Sequence, residues 1–369
     1  MVAAAQAPRC LFQLRKRRGL GHLVRGLNIA KALLALRPEA HVLFHLATPP
    51  PPGFWPENIP YEVDQGTPRC SEAELAACWS PQVQVFDTEL PDGDELRALQ
   101  AAAPACALAF LMRRCLPTQQ QALYGDPSLA AMDLVLVPHT AAEFGHALPE
   151  WLASRSHFVG PVVRRPDPLS QRALEQRLGL RFGDLVLTST VGSGSVDTPA
   201  RRLFDTVADA HAALSALPQW RAWRHIVVLG PCFEGQVQAL AGMTLLAGEP
   251  DLVDLLARSD LVVADGGYTT VSELTLVRTP AVLLPSPRCI DDPLERARRL
   301  ADLGCCVMLQ PDDGAGLARV LASLAGDAHL RERMRERYPP AQVGNKAAAR
   351  LLLALCEARP GCVAGAPPA

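Results

Sequence analysis

Apolar runs of strand length alternate with stretches of helical periodicity from the start of the chain. Cys10–Leu14 (CLFQL) is such a run, and from His22 to Leu36 the apolar residues Leu23, Leu27, Ala30 and Leu34 recur at helical spacing. His41–Leu46 (HVLFHL) supplies the next run. Strand, glycine-bearing turn, helix and strand form a βαβ unit, which requires parallel strands and a right-handed crossover. Val83–Phe86, Ala107–Met112 and Leu134–Pro138 read as further strands. Between them Pro49–Pro60 (PPPPGFWPENIP) is excluded from regular structure and is expected as an exposed, polyproline-like loop.

A second series begins after residues 158–166 (FVGPVVRRP), where Gly and Pro bracket a short extended piece suited to an interdomain linker. Beyond it come strand Leu185–Thr190, a Gly/Ser loop, and a helix opened by Thr198-Pro199 as N-cap and first helical residue. Strands His225–Leu229, Leu261–Ala264 and Ala281–Leu284 follow, each separated by helical sequence. The fold class is therefore α/β, with two parallel-sheet domains, residues 1–160 and 167–344. Residues 345–369 hold an Ala/Leu-rich helix, Asn345–Cys356, and a frayed tail, Gly361–Ala369.

Composition fits that division. A chain of 369 residues exceeds what one core usually supports, and 49% hydrophobic residues with 20% charged residues exclude an unfolded polyelectrolyte. No apolar run reaches the roughly 18 residues of a membrane span. The net charge of −2 hides an asymmetry: Met1 to Pro38 carries eight bases (Arg9, Arg15, Lys16, Arg17, Arg18, Arg25, Lys31, Arg37) and no acid. These bases are expected around the first glycine loop, facing an anionic ligand. The segment has no Ser and no continuous apolar core, which argues against a targeting peptide. The eleven cysteines form no Cys-x-x-Cys pair, so reduced, buried thiols in a cytoplasmic protein are expected.

Three strand-to-helix loops could carry chemistry. In Lys16–Arg25 (KRRGLGHLVR), Gly19 and Gly21 permit close approach of a ligand, and the helix start offers free N–H groups to an anion. The dinucleotide fingerprint fails there because Val24 occupies the third glycine position. His22, at the mouth of that loop, could accept a proton from a hydroxyl, or could merely cap the helix or stand in solvent. Ser189–Ser195 (STVGSGS) offers a phosphate-binding loop through small residues, hydroxyls and exposed N–H groups, without the P-loop ending. In Asp265–Leu274 (DGGYTTVSEL), Thr270-Val271-Ser272-Glu273 is formally a capping box, whereas Glu273 could instead hold the two hydroxyls of a ribose.

These segments in this order, together with FVGPVV, HIVVLGP, DLLARSDLVVADGGYTTVSELTLVRTPAVLLP and ERARRLADLG, resemble bacterial B-type glycosyltransferases. The resemblance extends to the peptidoglycan N-acetylglucosaminyltransferase and related predicted glycosyltransferases, over roughly residues 9–356. The resemblance implies two Rossmann-like domains facing across a cleft, acceptor on the first and nucleotide sugar on the second, with the C-terminal helix crossing back to the first. It implies that Gly19, Gly21 and His22 line the reacting centre and that Ser193 and Gly194 approach the nucleotide. Gly266, Gly267, Tyr268, Thr269 and Thr270 would cradle the diphosphate, and Glu273 would bind ribose. Two departures stand out. Asp265 occupies the position before the Gly pair that is often His or Arg, where an unpaired carboxylate would repel a diphosphate. Asp292-Pro293 stands where relatives carry an acidic-Gln pair that touches the donor sugar.

The expected reaction is a metal-independent, inverting transfer from a nucleotide diphosphate sugar, UDP by family precedent, to an acceptor hydroxyl, with His22 as base. The leaving diphosphate would be stabilised by loop N–H groups, the helix after Gly267 and an Arg of the basic loop. No cofactor is expected, and the nine histidines show no metal-binding spacing. Rival readings are a nucleotide-sugar hydrolase of the same fold, whose relatives share a Gly-x-Gly-His-x-x-Arg loop, and a non-catalytic nucleotide-sugar-binding homologue. Nucleic acid is not expected as a partner, because the basic run lies beside a loop rather than along a helix face. Peripheral membrane contact is open, since some relatives act on lipid-linked acceptors, and Phe54 and Trp55 of the proline-rich loop are candidates to touch an apolar acceptor.

Overall fold

The computed structural model describes residues 7–15, 19–64, 71–194 and 197–358. The chain forms two compact units, residues 1–163 with 343–369, and residues 164–342. Each is built on a parallel sheet.

The first sheet has seven strands: β1 (Arg9–Leu14), β2 (His41–Leu46), β3 (Tyr61–Val63), β4 (Val83–Asp87), β5 (Ala107–Leu111), β6 (Leu134–Val137) and β7 (Ser156–Phe158). Their order is β3-β2-β1-β4-β5-β6-β7, with every pair parallel. Such a sheet is covered on both faces, which explains the near-continuous apolar runs. Alternate residues divide between two cores. Phe12, Phe44, Val85 and Leu136 face one that includes the helix Gly21–Leu36, while Phe86, Phe110 and Val137 face the other. Phe12 and Phe44 stack at 4.8 Å, and a Cβ on Gly26 would lie 2.9 Å from Phe44, so the glycine lets the helix settle onto the sheet.

The C-terminal helix Asn345–Ala358 belongs to this unit. Ala348, Ala349, Leu352, Leu353 and Cys356 complete the core beside the helix Gly21–Leu36. Asn345 fixes its start: Oδ1 accepts from the Val163 N–H at 3.2 Å and Nδ2 donates to the Val163 carbonyl at 2.8 Å. The sulfurs of Cys10 and Cys356 are 3.5 Å apart.

The second sheet has six strands: β8 (Leu185–Thr190), β9 (Trp223–Val228), β10 (Met243–Leu246), β11 (Leu261–Ala264), β12 (Ala281–Leu283) and β13 (Cys306–Met308). They run parallel in the order β10-β9-β8-β11-β12-β13.

The sequence-level strands are present, and the four that the pattern does not announce, β3, β7, β10 and β13, are the outermost strands of the two sheets. Edge strands of three or four residues, in which only Cys306 is buried, lack the apolar run that marks a buried strand. Phe158, expected to open the linker, instead closes β7 opposite Val137. The helix expected to be capped by Thr198 begins at Asp197, which places Thr198 inside its first turn. The proline-rich loop is irregular but not wholly exposed: Ile59 is buried, and the Trp55 ring packs edge-on against Phe44 and Tyr61 while its Nε1 donates to the Ile59 carbonyl at 2.6 Å. Among the described residues nine cysteines form no disulfide; Cys10, Cys106, Cys305, Cys306 and Cys356 are buried, and Cys78 and Cys289 are exposed. The bases Lys16, Arg17 and Arg18, Ser195 of the Gly/Ser loop, and the tail Gly361–Ala369 lie outside the described residues.

Candidate active site

In an open parallel sheet the strand order reverses at one point, and the loops leaving the C-terminal ends of the two strands there diverge to form a ligand crevice. In the first unit that point lies between β1 and β4, and in the second between β8 and β11. All three candidate loops follow one of these strands.

In the first unit the loop after β1 carries Gly19 at φ 90° and leads into the helix Gly21–Leu36. Leu20 is the N-cap and supplies no side-chain bond, and no acid lies in the first turn, so the positive helix end is uncompensated there. His22 is the second helical residue and is buried, which rules out the reading of it as the cap. One turn later Arg25 is fully buried. Its Nε and Nη2 donate to the Asp87 carboxylate at 3.1 and 2.7 Å, and Nη2 also reaches Thr88 Oγ1 at 3.2 Å. Thr88, a β-branched residue held at φ 72°, donates in turn to Asp87 at 2.6 Å. This cluster pins the His22-bearing helix to the end of β4.

Of the eight bases of the first segment, Lys16, Arg17 and Arg18 beside the glycine loop lie outside the described residues, and several of the others meet partners in their own unit. Arg15 bonds Glu72 at 2.6 Å and Glu95 at 2.8 Å, Arg37 bonds Glu39 and Glu357, and Arg9 lies over the Trp79 ring. With Arg25 on Asp87, four of the bases are engaged by partners within their own unit.

In the second unit, register pairs Ala264 with Thr190, so the loops after β8 and β11 leave the sheet side by side. Gly192 N–H donates to Thr190 Oγ1 at 3.0 Å, and a Cβ on Gly192 would lie 3.3 Å from Thr270 Oγ1. The second and third candidate loops therefore touch. Gly194, at φ 71°, has the space of a side chain filled by Phe233 and the Leu229 carbonyl, and the Ser193 carbonyl accepts from Cys232 N–H at 2.9 Å. Packing between the β8 and β9 loops thus already requires this glycine.

The loop after β11 turns at Gly266, φ 80°, into the helix Tyr268–Val277. Gly267 is its N-cap, without a side-chain bond and with no acid in the first turn. The formal capping box is thereby overturned: Thr270 is the third helical residue, and Glu273 lies in the second turn. Tyr268, Thr270 and Glu273 are buried, while Thr269 is half-buried. The Glu273 carboxylate has no hydrogen-bond or ion-pair partner among the described residues, and it is 5% exposed. Burial pushes its carboxyl up to about 8, Asp254 adds to the rise, and Arg164 opposes it. Arg164 itself is held by Asp251 and lies 3.4 Å from Asp254 Oδ2.

Asp265 is buried and paired. Its Oδ1 accepts from Gly267 N–H at 3.0 Å, and its Oδ2 is bonded by Arg288. Arg296 Nη1 donates to the Gly266 carbonyl at 2.8 Å, its Nη2 bonds Asp291 at 2.5 Å, and its guanidinium lies 5.7 Å from the Tyr268 ring centre. Asp292 caps the helix Pro293–Asp302, accepting from Glu295 N–H at 3.0 Å, with Pro293 in the first helical position. Local pattern gave no sign of Arg288, Arg296 or Arg164. The available signal was topological, because Arg288 follows β12, which pairs with β11. Among the described residues no group of three His, Cys, Asp or Glu side chains is arranged to hold a metal ion, and no helix is long and apolar enough to cross a membrane.

Residues 241–350 match the family model described as "Glycosyltransferase family 28 C-terminal domain". The UDP-N-acetylglucosamine--N-acetylmuramyl-(pentapeptide) pyrophosphoryl-undecaprenol N-acetylglucosamine transferase of Symbiobacterium thermophilum is 30% identical over 255 residues. That alignment spans 63% of this chain and 63%, just under two thirds, of the relative. The protein of the same name from Salinibacter ruber is 25% identical over 366 residues, 86% of this chain and 88% of the relative. In fold, the spinosyn rhamnosyltransferase SpnG superposes with a TM-score of 0.59 at 17% identity, covering 94% of this chain and all of the other. By domain match, relatives and fold, the chain resembles the B-type glycosyltransferases, with the family 28 C-terminal domain lying mainly in its second unit.

Proposed function

We propose that the protein is an inverting, metal-independent glycosyltransferase that moves a sugar from a nucleoside diphosphate sugar to an acceptor hydroxyl. The observation that carries this reading is Glu273, a buried carboxylate without a partner among the described residues, in the helix that starts at the Gly266-Gly267 turn. Burying a polar group without a partner is costly, and burial keeps this carboxyl protonated until donors from a ligand favour its ionised, accepting form. A ligand with two adjacent hydroxyls satisfies it, and ribose is such a ligand. Five residues separate Tyr268 from Glu273, about 7.5 Å of helical rise, which is the scale of the distance from a ribose to its 5′-diphosphate. The diphosphate then meets the uncapped helix N-terminus, where N–H groups and the helix dipole favour an anion. UDP is the nucleotide suggested by the names of the relatives.

In this reading His22 takes the proton of the acceptor hydroxyl as that oxygen attacks the anomeric carbon. The bond from this carbon to the diphosphate oxygen breaks, its electron pair stays on the diphosphate, and the single displacement inverts the centre. Gly19 and Gly21 leave room for substrate beside His22, and Ser193, Gly194 and Gly266 to Thr270 border the nucleotide. Both curated relatives carry names that specify a lipid-linked acceptor, which supports a peripheral site of action at the cytoplasmic membrane face. Replacing His22 by Ala is expected to lower turnover by roughly 10²–10⁴-fold while leaving UDP affinity intact. Turnover near the wild-type rate contradicts the assignment of the base, and rapid release of free sugar from donor alone contradicts transfer.

A further inference from the structure

We propose that Arg288 is the cationic ligand of the donor diphosphate and that Asp265 is its positioning partner; this assignment rests on the nucleotide-sugar reading above. Three observations support it. The first is placement. Arg288 lies on the loop after β12, and β12 pairs in parallel with β11, so its loop opens at the same sheet edge as the Gly266-Gly267 turn. Its Nη2 is 4.0 Å from the point a Cβ on Gly267 would occupy, beside the N-terminus of the helix Tyr268–Val277.

The second is the state of its donors. A guanidinium carries five N–H donors in a fixed fork. Arg288 uses Nη2 on Asp265, and its Nε and Nη1 have no partner among the described residues, with 31% of the side chain exposed. Arg296, the other guanidinium at this turn, is committed to Asp291 and the Gly266 carbonyl and is 16% exposed. Of the two, Arg288 has the free edge. Guanidinium geometry suits two oxygens of a phosphate, and one fork can bond a carboxylate and a phosphate together.

The third is the division of labour on Asp265. One of its oxygens holds the Gly267 N–H and the other holds Arg288, so both are turned inward to the turn and the fork. The carboxylate therefore fixes the cation beside the anion site instead of presenting its own charge to the ligand. It also explains why an acid is compatible with this place in the loop. Truncating the arginine would leave a buried, unpaired carboxylate beside the helix start, opposed to any incoming diphosphate.

Titration calorimetry on the full chain with uridine and with UDP tests this, using wild type, Arg288→Gln, Arg288→Lys and the double variant Arg288→Gln with Asp265→Asn. Arg288→Gln is expected to weaken UDP by about tenfold to a hundredfold, as for the loss of charged hydrogen bonds, with uridine affinity unchanged. Arg288→Lys should recover part of the loss, and removing the Asp265 charge in the double variant should recover part of it as well. Equal losses for uridine and UDP, or UDP binding indifferent to Arg288→Gln, overturn the assignment while leaving the nucleotide reading in place. A wild-type protein that binds neither uridine nor any nucleoside diphosphate overturns that reading and this assignment with it.

Discussion

Glu273 couples the site to pH. Its carboxyl sits near 8 in the folded protein against an ordinary 4.5, chiefly because it is buried. Between those values the folded chain holds a proton that the unfolded chain has released, so stability falls as pH rises through that window. Glu273→Gln removes this slope. The variant is expected to match wild type near pH 4, and to be more stable at pH 8 by an amount on the order of a few kcal/mol, read by urea unfolding. Parallel pH curves for the two proteins contradict an unpartnered, buried carboxyl. At this scale the sequence was half legible. The DGGYTTVSEL block singled out Glu273, but whether it caps or binds depended on where the helix starts, and that is set by the Gly266 turn after β11. Arg288 stands 23 residues from Asp265, and only the fold makes them neighbours.

Elements place these residues. The buried Arg25–Asp87 pair and Thr88 join the His22-bearing helix to the end of β4, across the reversal point of the first sheet. Removing one partner of a buried pair leaves an uncompensated charge, so Arg25→Met is expected to destabilise the protein by about 3–5 kcal/mol in denaturant unfolding. A loss below about 1 kcal/mol would mean that the pair does not anchor the helix. The second sheet has its own buried polar link: Ser189 Oγ lies 2.8 Å from His225 Nε2, and His225 Nδ1 lies 2.9 Å from His211 Nδ1. Burial lowers His225 to about 3, which keeps that ring neutral. Central strands such as β4 and β6 were readable because both of their faces are buried and the run is apolar throughout. The edge strands β3, β7, β10 and β13 were not, since a short strand with one wet side carries little pattern of its own.

Over the whole molecule, the chain leaves the first unit after residue 163, builds the second, and returns at residue 343 to complete the first core with Asn345–Ala358. The repeated strand–helix alternation made two parallel sheets legible in advance. Within the acid-free first 38 residues, Arg15, Arg25 and Arg37 meet acids that lie far along the chain, at Glu72, Asp87, Glu95 and Glu357, while Lys16, Arg17 and Arg18 lie outside the described residues. Beside the proposed diphosphate, the second unit itself supplies Arg288 and a helix N-terminus. The central claim is that this unit binds a nucleoside diphosphate through its ribose. Calorimetric titration of UDP and of 2′,3′-dideoxy-UDP into wild type and Glu273→Gln tests it most directly. Wild type is expected to prefer UDP by about tenfold to a hundredfold, and Glu273→Gln to lose most of that preference. Equal affinities of wild type for the two nucleotides, or binding of neither, would contradict it.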